Sequence, residues 1–276
     1  MLPGQNRSNF VFRYGFSILV TMPTGKSGLT ERIVNMDLKL KDKVAIVTGA
    51  GSQIGYGKAI ALTLAEEGCH IIIGDIDIKG AEATATGIKT LGREVLVVNV
   101  DVRERSQVDA MVEKGLEKFG RIDILVNNAG ASSRMKPFME TTKEDWDYDI
   151  NVNLYGQMNV AQAVLPHMKS RGYGRIINTA GGQGIPTLSL YGAAKGGVVM
   201  FSRALAKEVA SSGVIVTVYS PGLGATGLTV DDPRMESIAP TLPLGRLCTP
   251  EDVAPVVAFL ASDVSSYMAA GSMFTV

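Results

Sequence analysis

Tyr191 and Lys195 stand four residues apart in Tyr191-Gly-Ala-Ala-Lys195, inside an amphipathic run over 188–211. On a helix that spacing places both side chains on one face. A phenol near its reference pKa of about 10 is a poor base at neutral pH, and an adjacent ammonium favours the phenolate. The pair is therefore expected to lower the Tyr191 pKa. The hydroxyl would then accept a proton in alcohol oxidation and donate one in carbonyl reduction.

A second group of residues suits a nucleotide. Thr48-Gly-Ala-Gly-Ser-Gln-Ile-Gly-Tyr-Gly57 follows the apolar run 44–47 and precedes a helical pattern that begins at Lys58. Gly49, Gly51, Gly55 and Gly57 let the backbone turn tightly and let a pyrophosphate approach the positive end of a helix. Asp75, at the end of the next apolar run, can accept hydrogen bonds from ribose hydroxyls and repels a 2′-phosphate. Ile76, Asp77 and Ile78 supply no arginine for that phosphate, so NAD is expected rather than NADP. The plain alternative for Asp75 is a cap on the following turn. Asp101 and Val102, ending the third run, are expected to face the adenine.

Such residues need elements to hold them. The runs 44–47, 70–74, 95–99, 124–127, 175–179 and 214–220 are short and β-branched, as strands buried on both faces are. Residues 273–276 could add an edge strand. Helical patterns lie between them over 58–67, 79–91, 105–119, 143–171, 188–211 and 250–262. Thr142 with Asp145 and Thr249 with Asp252 fit capping boxes, and Pro250 takes a first helical position. This alternation predicts an α/β fold, a doubly wound parallel sheet of Rossmann type in a single domain, with ligands at the carboxyl ends of the strands. Residues 224–247 read as a short substrate lid, with Leu228, Met235, Ile238 and Leu242 offering apolar contacts or packing on their own domain.

Composition narrows the function. Of 276 residues 46% are apolar and 20% charged, and Lys plus Arg equals Asp plus Glu at 27 each, so no net field attracts nucleic acid or an anionic membrane. Cys69 and Cys248 form no CxxC pair, and His70 and His167 fall in no metal-ligand spacing, so no metal is expected. Both histidines read as surface or capping residues. Residues 1–35 show no clear periodicity and faintly resemble a targeting leader. The plainer account is an upstream start, because Met36 opens Met-Asp-Leu-Lys-Leu-Lys-Asp-Lys-Val-Ala, and these residues are expected to stand outside the fold without regular structure.

The Tyr191–Lys195 pair and the glycine turn, together with Asn127-Asn-Ala-Gly130, Asn153 in Asn-Leu-Tyr-Gly156, and Pro221-Gly222, resemble the short-chain dehydrogenase/reductase family from about residue 41 onward. The resemblance implies an NAD(P)-dependent oxidoreductase acting on CH–OH groups, cytoplasmic, and assembled as a homodimer or homotetramer through the helices over 143–171 and 188–211. It implies that Lys195 also holds the nicotinamide ribose and that Asn153 positions a water in a proton relay. Asn128, Ala129 and Gly130 would border the cofactor, and Pro221, Gly222 and Thr226 would reach the nicotinamide carboxamide. Asn127 has an equal claim to a structural role.

Three departures from the family stand out. Its glycine spacing, TGxxxGxG, puts Gln53 where a glycine is expected, whereas Gly51, Gly55 and Gly57 fit with a two-residue insertion. The family serine thirteen residues before the tyrosine is Asn178 by count. Aligned on the strand, Ala180-Gly181 occupies that place and the segment to Tyr191 is three residues short. Thr179 is the nearest hydroxyl and the candidate stand-in for a serine that would hydrogen-bond the substrate oxygen. Lastly, the chain stops at Val276, short of the Asp-Gly-Gly that often follows and shapes subunit contacts. Two functions are left open: an NAD-dependent dehydrogenase or reductase, and an NAD-binding protein with weak or no catalysis. A sugar alcohol, a steroid-like alcohol and a 3-oxoacyl thioester are not told apart, with a weak preference for a small or moderately apolar alcohol.

Overall fold

The computed structural model describes residues 17–24, 28–133, 135–182, 184–224, 226–227, 229, 234–269 and 271–276. Strands β1 (Ser17–Thr24) and β2 (Gly28–Asn35) pair antiparallel, from Ser17 opposite Asn35 to Thr24 opposite Gly28, within a unit spanning Met1–Asp37. This corrects the expectation of no regular structure there. Ile18, Val20 and Thr21 in one strand and Thr30, Ile33 and Val34 in the other favour extended backbone.

In the unit Leu38–Val276, seven parallel strands form one sheet. They are β3 (Val44–Thr48), β4 (His70–Asp75), β5 (Val95–Asn99), β6 (Ile124–Asn127), β7 (Gly174–Thr179), β8 (Val214–Ser220) and β9 (Met273–Thr275), in the order β5-β4-β3-β6-β7-β8-β9. The helices are α1 (Tyr56–Glu66), α2 (Ile78–Thr90), α3 (Arg105–Phe119), α4 (Lys143–Ile150), α5 (Gly156–Arg171), α6 (Ser189–Val209), α7 (Arg234–Ile238) and α8 (Pro250–Ala261). Successive side chains of a strand point to opposite faces. Ala45, Val47, Ile71 and Ile73 therefore pack under α1, α2 and α8, whereas Val44, Ile46 and Ile72 pack under α3, α5 and α6. Both faces are covered, which is why the strands are apolar throughout.

Chain order reverses direction at β3: β4 and β5 lie on one side of it and β6 on the other. That switch opens a crevice at the carboxyl ends of β3 and β6. Thr142 and Thr249 form the expected capping boxes with Asp145 and Asp252. The helix expected over 143–171 is divided: α4 and α5 are joined by a π-helical turn, Asn151–Tyr155, which is wider by one residue and carries Asn153. In the lid region, α7 buries Met235, Ile238 and Leu242 are half-buried, and Leu228 lies outside the described residues. A bridge between Gly224 and Cys248 ties the two ends of this segment together.

Candidate active site

The crevice is closed at its floor by Asn128. Its Nδ2 donates to the carbonyls of Thr48 and Gly49, at 3.0 and 2.9 Å, and its Oδ1 accepts from Tyr219 at 3.0 Å. Thr48 Oγ1 in turn accepts the N–H groups of Asn128 and Ala129. The ends of β3, β6 and β8 are thereby locked in register around a cleft of about 360 Å³. Gly49, Gly55, Asp75 and Asn128 line one part of it, and Ala131, Val152, Tyr191 and Lys195 another. Its size and position suit a bound organic ligand.

Three glycines are dictated by close approach. A Cβ on Gly57 would stand 2.1 Å from the Gly49 carbonyl oxygen, and one on Gly51 2.9 Å from the Asp75 carboxylate. Gly49 adopts φ +73°, in the left-handed region. Gly51 and Gly57 thus sit behind the cleft wall and shape it, while Gly49 and Gly55 face the cleft. The insertion has a visible use. Gln53 Nε2 donates to the carbonyls of Gly51 and Gly80, both at 2.9 Å, and its Oε1 accepts from Lys58 at 2.8 Å. The longer turn is therefore pinned to the start of α2 rather than left loose.

Asp75 does two things at once. One carboxylate oxygen accepts the Gly51 N–H at 2.6 Å and the other the Asp77 N–H at 2.9 Å, so it caps the following turn, and it also borders the cleft beside Ile76 and Asp77. Each oxygen retains a lone pair for a further donor. Asp101 and Val102 line the same end, with Asp101 held by Arg103 in a bidentate ion pair at 2.5–3.0 Å. That guanidinium holds the Asp101 carboxyl below its ordinary pKa. Ala129, Gly130, Pro221 and Thr226 border the cleft, whereas Gly222 lies behind it, its N–H donating to the Val276 carbonyl at 2.7 Å. A nucleotide with an acidic-edge ribose site is compatible with this donor and acceptor set.

Tyr191 and Lys195 project from the same face of α6. The Lys195 Nζ lies 5.5 Å from the Tyr191 ring centroid and donates to the Thr179 carbonyl at 3.0 Å. Their electrostatics correct the sequence reading. Burial pushes the Tyr191 phenol up to about 12, with the nearby Asp149 adding to the shift, and burial brings the Lys195 amine down to about 7. Desolvation outweighs the expected ammonium effect, because a fully buried lysine resists carrying its charge. Tyr191 is accordingly a proton holder at neutral pH.

Two expected helpers are hydrogen-bonded within the fold. The Thr179 hydroxyl donates to the Asn127 carbonyl at 2.7 Å, and the residue borders the cleft. Asn178 is fully buried, its amide held between Asn127 and Ser202. The serine place falls on Gly181, where a Cβ would lie 3.9 Å from the Tyr191 hydroxyl, and Gly182 packs on the ring itself. Asn153, also fully buried, donates to the carbonyls of Ala131 and Asp149 at 2.6 and 2.9 Å and accepts the Ala131 N–H at 3.2 Å. Its amide pins the loop after β6 and leaves no side-chain donor for a water. Of the histidines, His70 accepts the Glu94 N–H and His167 the Ile122 N–H.

Sequence reasoning missed four contributors: Gln53, Tyr219, Asp149 and Ser133. Each gains its role only from contacts with residues distant in sequence.

A seven-stranded parallel sheet, a glycine turn at its switch point and a Tyr–Lys pair on one helix define a nucleotide-binding oxidoreductase fold. The chain belongs to the short-chain dehydrogenase/reductase family: the family model described as Enoyl-(Acyl carrier protein) reductase matches residues 49–276. It is 40% identical over 236 residues to a 3-oxoacyl-(acyl-carrier-protein) reductase of Thermotoga maritima, covering 84% of this chain and 95% of that one. Among solved structures, it is similar to levodione reductase, with 33% identity, a TM-score of 0.81, and 86% and 96% of the two chains covered. It is also similar to a 3-ketoacyl-(acyl-carrier-protein) reductase of Brucella melitensis in complex with NADH, with 36% identity, a TM-score of 0.79, and 86% and 97% covered. The chain is thus an enzyme of the reductase and dehydrogenase type.

Proposed function

We propose that the chain transfers a hydride between NAD(H) and a carbonyl or secondary alcohol, with Tyr191 as the acid/base. The observation that carries this reading is the Tyr191–Lys195 pair bordering the same cleft as the glycine turn. When bound, the nicotinamide supplies or accepts the hydride. Tyr191 holds its proton at neutral pH and gives it to the carbonyl oxygen as negative charge develops there, and the reverse step returns it. Lys195, anchored to the Thr179 carbonyl, fixes the phenol's surroundings and is placed to meet a ribose. Asn128 and Gly49 keep the floor rigid, which favours preorganised over adaptive binding.

The choice of NAD over NADP rests on Asp75, Ile76 and Asp77 at one end of the cleft, where the nearby Arg103 is already paired with Asp101. A 2′-phosphate there would meet carboxylates. Fluorescence titration tests this. Asp75→Ala should weaken NADH binding by about tenfold, the worth of one charge-assisted hydrogen-bonded pair, and narrow its preference over NADPH. Unchanged NADH affinity in that variant would count against the assignment.

A small or moderately apolar alcohol or ketone suits a site flanked by Val152 and Tyr148. The two free cysteines suit a reducing compartment such as the cytoplasm. Assembly as a homodimer or homotetramer would cover exposed apolar side chains such as Tyr155 and Met200.

A further inference from the structure

We propose that Tyr56 is a positioning residue for the nicotinamide end of the cleft: its hydroxyl fills the space that a side chain at Gly224 would occupy, and so seats Gly222 and Gly224 on the glycine turn. This role rests on the reading of the cleft as an NAD(H) site with Pro221 and Thr226 at its nicotinamide end.

Tyr56 stands between Gly55 and Gly57 and opens α1, so the glycine turn itself carries it. It is partly buried against the apolar layer that holds α1, α2 and α8, and it also borders the cleft. A tyrosine suits such a place, because its ring can be buried while its hydroxyl meets a polar edge. The hydroxyl donates to the Gly222 carbonyl at 3.5 Å, across 166 positions of sequence. A Cβ on Gly224 would stand 1.8 Å from that hydroxyl oxygen and 2.9 Å from the ring carbon that bears it. No alanine fits at 224 while the phenol keeps its place. The backbone gives no other reason for glycine there, since Gly224 is outside the left-handed region. Close approach is the reason, from Tyr56 and from the Cys248 carbonyl at 2.8 Å.

The turn touches this arm of the chain at a second point: a Cβ on Gly227 would lie 3.6 Å from the Ser52 hydroxyl. Backbone bonds hold the same arm to the rest of the sheet edge. The Gly222 N–H donates to the Val276 carbonyl at 2.7 Å, the Cys248 N–H donates to the Leu223 carbonyl at 2.9 Å, and Gly224 bridges Cys248. Pro221 and Thr226, which border the cleft, flank these glycines in sequence. Tyr56 therefore joins the part of the cleft suited to a pyrophosphate to the part suited to the nicotinamide. A misplacement of about 1 Å in such a segment is enough to cost a large factor in rate.

The test compares NADH with ADP-ribose, the same cofactor without its nicotinamide. In Tyr56→Leu, NADH affinity read by fluorescence titration should fall about tenfold, while ADP-ribose affinity read by calorimetry stays within about twofold of the parent. Tyr56→Phe deletes only the hydroxyl and keeps the ring in its layer. It should show the same split at about threefold, which keeps the test available if the leucine variant folds poorly. Gly224→Ala should weaken NADH binding by about tenfold or more in the parent, and by at least about threefold less in Tyr56→Leu, where the methyl meets no hydroxyl and only the Cys248 carbonyl opposes it. Equal losses of NADH and ADP-ribose in both Tyr56 variants overturn the proposal, because a tyrosine that merely supports the turn would weaken both. An alanine penalty at 224 that is the same in both backgrounds overturns it too. Failure of the underlying cofactor reading looks different: the parent itself would bind neither NADH nor ADP-ribose, and the proposal would fall with it.

Discussion

Burial disfavours the charged form of both Tyr191 and Lys195, pushing the phenol up and the amine down. For Lys195 this has a measurable effect on stability. In the unfolded chain the amine keeps its proton up to about 10.5, and in the folded chain it gives it up near 7. Between those values the unfolded state holds more protons, so this contribution to stability rises with pH from about 7 to about 10.5 and is lost as pH falls through 7. Urea midpoints of the cofactor-free protein should therefore increase across that window. Lys195→Met should flatten the increase; an unchanged slope would mean that the amine stays charged in the fold. Thr179 is fixed by a hydrogen bond instead: its hydroxyl donates to the Asn127 carbonyl while the residue borders the cleft.

At the scale of elements, the site is made by three junctions: β3 into α1, β6 into its following loop, and α4 into α5. The first tolerates no side chain at its tightest point. Gly57→Ala would drive a methyl to 2.1 Å from the Gly49 carbonyl, so the turn must shift. The expected outcome is a loss of about 1–3 kcal/mol in stability and at least a tenfold weaker NADH affinity, read from denaturation and fluorescence titration. Most of these junctions were legible in the sequence. Strands such as 124–127 announce themselves because burial on both faces demands unbroken β-branched runs, and Thr142 and Thr249 mark helix starts because orphan N–H groups need an acceptor. The π-helical turn at Asn151–Tyr155 was not legible. It interrupts an apolar pattern that remains helical on either side, and the Asn153 that it carries is bonded to Ala131 in a loop far away in sequence. The pairing of Ser17–Thr24 with Gly28–Asn35 was missed for a simpler reason: a lone two-stranded ribbon has no core-facing alternation to read.

Across the whole molecule, the cleft draws on residues from Gly49 to Gly227, yet all of them meet at one edge of the sheet. Strand order is what makes this possible, since the reversal at β3 parts the loops after β3 and β6 and leaves room between them. The covered faces of the sheet carry the stability and the cleft carries the chemistry, so a change at the Tyr191 hydroxyl should alter turnover without altering the fold. That separation gives the most direct measurement of the central claim: NADH consumption by Tyr191→Phe with a carbonyl substrate, set beside its NADH affinity. Loss of the proton donor should slow turnover by about 100- to 10,000-fold, with NADH affinity within about twofold of the parent. A phenylalanine variant that consumes NADH at the parent rate would contradict the assignment of Tyr191 as the acid/base.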